Sequence, residues 1–183
     1  MSFEQRDVRA FSISPDGKKI AYIQTFKDDE DKITERFIVR ETSGGEVITG
    51  FVANQKYKLP TWSASSNKMS FFFSTDTSLT NYQLKLVDFN LNAELSFGDT
   101  LDTKLARDLV PSQWRAPYFS SDEERLFFGV HKRAVKEPED SLLEDEKYHL
   151  DVWHYKDHKI QAQQLKGLAR EKKKYDLYVY NFR

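Results

Sequence analysis

Two histidines, His154 and His158, stand four residues apart near Asp151 and Asp157. On a helix that spacing sets both imidazoles on one face, an arrangement able to hold zinc when a further ligand joins them. No third clear ligand is present and no glutamate lies between the pair, so the stretch also reads as a charged aromatic anchor with exposed histidines. Just upstream, Glu144, Asp145 and Glu146 form a run of carboxylates. Such a cluster would make charge-assisted hydrogen bonds to an ammonium group, or stand as a solvated face. Trp153 and Tyr155, with Val152, are too apolar for free solvent and are expected to pack against the rest of the fold or a partner domain.

The usual carriers of nucleophilic chemistry are missing. There is no cysteine, which excludes disulfides, thiolate-metal sites and a cysteine nucleophile. The seven glycines, at positions 17, 44, 45, 50, 98, 129 and 167, include no pair four apart. The chain therefore lacks the Gly-x-Ser-x-Gly elbow of serine hydrolases, and it has no Gly-rich phosphate loop either. It is expected not to be an enzyme by itself, and to need no cofactor and no metal.

Composition narrows the partners. With 28 Lys and Arg against 29 Asp and Glu, the formal net charge is −1. No general field would draw the chain to nucleic acid or to an anionic membrane. The run Arg170 to Lys174, beside Tyr175 and Tyr178, is the local basic exception. The first residues, MSFEQRDVRAF, lack the apolar core of a secretory signal, and no window approaches the roughly 18 apolar residues that span a bilayer. Localisation stays open, and is periplasmic or otherwise exported if a parent chain carries a signal elsewhere.

The elements that would position any site come from a repeat. Three segments share strand, polar turn and strand: ISPDGKKIAY from Ile13, WSASSNKMSFF from Trp62, and FSSDEERLFF from Phe119. Their equivalent apolar residues, Ile20, Met69 and Leu126, lie 49 and 57 residues apart. That period exceeds a hairpin and approximates one blade of a β-propeller, about 40–50 residues. Pro15 presets φ, and Gly17 after Asp16 admits a positive φ. Ser65-Ser66 and Asp122-Glu123 take the Asp-Gly place in the later copies. Each copy leads into β-branched and aromatic runs at 36–41, 46–51, 82–89 and 175–182, separated by Gly, Asn and Asp. The expected fold is all-β, with antiparallel four-stranded blades of a β-propeller. About three blades are expected (1–55, 56–112 and 113–183), forming an incomplete ring with a long insertion, 131–175, in the third. A short helix is expected between Ile160 and Lys174 from the spacing of Ile160, Leu165, Leu168 and Ala169. The acidic first part and basic last part of the insertion would neutralise one another as a folded-back arm, or remain a solvated loop.

FSISPDGKKIAYI, from Phe11 to Ile23, resembles the propeller repeat of the prolyl oligopeptidase family of serine peptidases and of TolB-type propellers. Ser141 to Gln164 resembles an insertion in the propellers of large bacterial members of that family, where an acidic run leads into Asp-x-Trp and Lys-Asp, here Asp151-Val152-Trp153 and Lys156-Asp157. The resemblance implies a non-catalytic propeller segment that gates substrate access and docks onto an α/β-hydrolase domain, with the triad in a segment this chain lacks. It also implies that propeller carboxylates bind a peptide's free amino terminus in some members. Glu144, Asp145 and Glu146, with Trp153 and Tyr155, are the candidates here for partner or peptide contact. Because propellers close with four to eight blades, three blades are expected to belong to a longer protein or to pair with another copy. The alternative is a stand-alone TolB-like propeller acting as a protein-binding scaffold.

Overall fold

The computed structural model describes residues 6–27, 33–44, 47–53, 56–58, 60–74, 81–99, 104–134, 161–171 and 173–182, with the backbone alone for 47–53 and part of 161–171. They fall into two units, Met1–Arg133 with Tyr175–Arg183, and Ala134–Lys174. The first unit is built of antiparallel strands.

Alternating apolar residues drive three successive sheets. The first is a meander of β1 (Val8–Ile13), β2 (Lys19–Lys27), β3 (Ile33–Glu41) and β4 (Val47–Ala53). In the second, β5 (Lys56–Tyr57) and β6 (Thr61–Trp62) share one edge of β7 (Lys68–Ser74), whose other edge pairs with β8 (Gln83–Asp88) and then β9 (Ala93–Phe97). The third repeats that plan, with β10 (Leu109–Pro111) and β11 (Tyr118–Phe119) on one edge of β12 (Arg125–Lys132) and β13 (Asp176–Asn181) on the other. Pro60 stands just before β6 and Pro117 just before β11. Proline brings no N–H to a ladder, which accounts for a first strand broken in two. In the first sheet the same irregularity is a bulge between Val8 and Ala10. The strand Asp176–Asn181 is in register with β12 across the whole insertion, Val130 opposite Asp176.

Successive side chains of a strand point to opposite faces. On β7, Met69, Phe71 and Phe73 meet Ala21, Ile23, Phe37 and Val39 of the first sheet. Phe72 faces the other way and packs with Leu84, Leu86 and Phe97 against Leu126, Phe128 and Val130 of the third. The second sheet is thus buried on both faces. Phe37 stacks on Phe71 with ring centroids 4.2 Å apart, and Phe97 meets Phe128 at 5.3 Å.

The three turns are copies of one another in hydrogen bonding. Ser14, Ser63 and Ser120 each donate the backbone N–H to the carbonyl of Lys19, Lys68 and Arg125, five residues on, and each hydroxyl oxygen accepts that residue's N–H. The fourth residue of each turn has a positive φ: Gly17 at 71°, Ser66 at 62° and Glu123 at 56°. A side chain there costs about 1–2 kcal/mol, so Ser66 and Glu123 need compensation. They find it in the preceding copy. Ser66 Oγ accepts the Asp16 N–H at 3.0 Å, and the Glu123 carboxylate accepts the Ser65 N–H at 2.5 Å and its hydroxyl at 2.6 Å. Gly17 begins the series, and a Cβ built there meets nothing within 4 Å.

The second unit contributes α1 (Gln161–Glu171), close to the expected helix and formed mostly from strong helix-forming residues. Gly167 is tolerated within it, and Leu168 is exposed.

Two sets of outcomes follow. Phe71→Ala should cost about 3–5 kcal/mol in urea unfolding, because the cavity opens between two sheets. Ser70, fully buried with its hydroxyl unpartnered, should tolerate Ala with a change within about 1 kcal/mol of zero or a gain. A large loss at Ser70 would contradict the packing described. The turn carboxylates set acid stability. The Ser14 hydroxyl and Lys18 amide hold Asp16 down at about 2, from 3.8. Burial pushes Glu123 up, but the Ser65 donors outweigh it and leave it lowered. Each group binds protons less readily folded than unfolded. Its contribution is complete above the ordinary value and lost as pH falls to the folded one, for Asp16 between 3.8 and about 2. Unfolding free energy should fall across that window, and Asp16→Asn with Glu123→Gln should flatten the decline.

Candidate functional site

The inner edges of the first two sheets enclose a pocket of about 450 Å³, at the end of the strands away from the three turns. Its anion is Glu35 of β3, which strand alternation puts in phase with the core residues Phe37 and Val39. The residue is 3% exposed, so its charge must be compensated. Arg9 Nη2 donates to Oε2 at 3.2 Å, Lys56 Nζ to Oε1 at 3.1 Å, and the Tyr57 N–H to Oε2 at 3.1 Å. Arg9 also donates to the Tyr57 carbonyl at 2.8 Å. The bulge in β1 lies at Arg9, and bulges re-aim side chains in this way.

Lys58 is the third cation lining the pocket. Its Nζ lies 5.5 Å from the Tyr82 ring centroid and 5.8 Å from that of Trp114. Among the described residues it has no carboxylate partner. Burial pulls its pKa down, and the Arg9 charge adds to that. Burial likewise pushes Tyr57 up to about 12, with the Glu35 charge adding, and raises Tyr82 for the same two reasons against a smaller opposing effect of Arg9. Among the described residues, three cations line the pocket with one carboxylate, Glu35, which already accepts three hydrogen bonds.

A second feature lies on the outward faces. Ala10 and Ser12 of β1 face the second sheet, Ser12 accepting the Trp62 indole N–H at 3.1 Å, which turns Phe11 and Ile13 away, 60% and 51% exposed. On the third sheet Tyr178 and Tyr180 face inward, while Leu177 and Val179 look out beside Tyr118, which stacks on Phe127 at 4.7 Å.

The residues selected from sequence, Glu144, Asp145, Glu146, Trp153 and Tyr155, and the pair His154 and His158, lie outside the described residues. Among the described residues no three His, Cys, Asp or Glu side chains gather to hold a metal ion, and no helix is long and apolar enough to cross a membrane. The pocket was missed by sequence reading. Its one available signal was Glu35, a carboxylate in step with the core face of a strand.

No protein-family model matches the sequence, and no curated protein does. Among solved structures, the chain is similar to the β-propeller domain of the Trilobed protease from Pyrococcus furiosus, at 12% identity and a TM-score of 0.46, over 67% of this chain and 33% of that one. It is similar to Pyrococcus horikoshii acylaminoacyl peptidase at 18% identity and a TM-score of 0.45, over 75% and 19%. It is also similar to TolB from Acinetobacter baumannii at 21% identity and a TM-score of 0.44, over 69% and 28%. The chain spans a third or less of the length of these structures.

Replacing Glu35 tests the site's electrostatics. Glu35→Ala leaves Arg9, Lys56 and the Tyr57 N–H without their acceptor. Because both cations are nearly half exposed, the expected cost is about 2 kcal/mol, below the ~3–5 of a wholly buried pair. Equilibrium unfolding in urea measures it.

Proposed function

We propose that these blades are the non-catalytic cap of a prolyl-oligopeptidase-like serine peptidase, gating access for peptides and docking onto a hydrolase domain not contained in residues 1–183. The resemblance of the strand-turn-strand repeat and of Ser141 to Gln164 supports the reading. The observation that carries it is the pair of apolar outward faces, Phe11 and Ile13 on the first sheet and Leu177 and Val179 on the third. Faces of that kind call for further protein beside them, whether more of a parent chain or another copy. Gating by a cap is steric and asks for no reactive side chain.

The chain alone is expected to show no turnover on a broad peptide panel. In the native gene, reading on from Arg183 should reach a Gly-x-Ser-x-Gly segment. The peptidase so encoded should cleave short peptides and spare a large unfolded protein, and lose that selectivity when the blades are deleted. A stop codon directly after Arg183 would instead favour the protein-binding scaffold, and serine-dependent hydrolysis by this chain alone would overturn the proposal.

A further inference from the structure

Among the described residues, the pocket beside Glu35 is lined by three cations, Arg9, Lys56 and Lys58, and a single carboxylate. Glu35 already accepts from Arg9, Lys56 and the Tyr57 amide, so it has little left to offer Lys58. The Lys58 ammonium is held between two aromatic rings, each within 6 Å, with Arg9 the charge that acts on it. A cation flanked by rings, with no carboxylate partner among the described residues and a second cation, Arg9, lining the same pocket, is set to receive an anion, because the anion would offset the like charges and replace lost hydration. The cavity, at about 450 Å³, lies within the range of small-ligand sites, roughly 300–1,000 Å³. Its walls supply apolar surface from Ala10, Ile23 and Tyr82 for the body of such a ligand.

We propose that this pocket binds the carboxylate of a small organic acid or peptide, with Lys58 and the unused donors of Arg9 and Lys56 taking the charge and Ala10, Ile23 and Tyr82 flanking the remainder. Where the gating reading holds, the ligand is the free C-terminus of a short peptide; the carboxylate site itself rests on the pocket alone. Its chemistry is opposite to that of the acidic run at Glu144 to Glu146, which would take an ammonium group.

Calorimetric titration of the full chain tests this with four probes: an N-acetylated tetrapeptide with a free C-terminus, the same peptide amidated, acetate, and inorganic phosphate. The free acid should bind, and the amide should bind at least about tenfold more weakly, a difference of about 1.4 kcal/mol. Acetate binding with the amide silent would also support a carboxylate site and identify the source as a small acid. Lys58→Gln should weaken binding about tenfold or more and Lys58→Arg should restore most of it. Lys18→Gln, at an exposed turn position, should change nothing. Equal binding of acid and amide, phosphate binding tighter than the acid, or full binding by a folded Lys58→Gln chain would each overturn the proposal. None of these results depends on peptidase activity, so the site and the gating role fail separately.

Discussion

The burial of one sheet's two apolar faces between its neighbours is the interaction on which the rest of this structure depends. On β7, Phe71 and Phe72 are adjacent in sequence and point into different cores, one shared with the first sheet and one with the third. A strand buried on both faces has no polar side to give to water, so the second sheet cannot persist as an isolated layer. The same composition in the flanking sheets has the opposite consequence. Each of them satisfies one face, and on the other Phe11, Ile13, Leu177 and Val179 stay exposed, although Tyr22 and Ile38, beside Phe11 on the outward face of the first sheet, are buried.

Apolar packing is non-directional, so the alignment of sheets needs polar ties at the ends of the strands. At the turn end the ties are hydrogen bonds from one repeat to the next, Ser66 reaching the Asp16 amide and Glu123 reaching Ser65. Lys19 adds a bond to the Ser66 carbonyl at 3.1 Å and lies 5.3 Å from the Phe89 ring centroid. One repeat further on, Lys68 lies over Phe182 at 5.4 Å, so the tie is a property of the repeat. At the other end Glu35 reaches from β3 to the Tyr57 amide and Lys56 of the second sheet. The interface between the first two sheets is therefore tied at one end by the turn hydrogen bonds of Asp16, Lys19 and Ser66, and at the other by a charged cluster.

How far the sequence discloses this depends on the range of each interaction. The strand at 175–182 was readable because alternation is local, and it pairs with β12 across the intervening residues; the insertion expected from 131 starts later, because His131 and Lys132 still belong to β12 and pair with β10. The equivalence of Gly17 with Ser66 and Glu123 was readable as alignment, and all three share a positive φ. Why a serine and a glutamate accept that backbone was not readable, since the compensation lies 50 and 58 residues away. Breaks in the first strands of the second and third sheets went unrecognised for a similar reason. Two-residue strands such as Thr61–Trp62 have no period of their own, and only Pro60 and Pro117 marked them. Leu109–Pro111, placed by sequence with the second repeat, pairs with β12 of the third sheet. Glu35 was overlooked because a single carboxylate between Thr34 and Arg36 looks like an exposed strand residue until its phase with Phe37 is counted.

Two of the pocket's three cations come from breaks in the strands. A regular ladder on a buried edge leaves no room for charged groups, whereas an interruption frees backbone groups and redirects side chains. Arg9 comes from the bulge in β1, Lys58 from the gap between β5 and β6, and Trp114 from the gap between β10 and β11. Each belongs to a different sheet, and Lys58 meets rings contributed by the second and third. The irregular positions, Arg9 at the bulge, Pro60 and Pro117, are thus where this architecture gives up regular pairing, and a cationic, aromatic-walled cavity is what forms there.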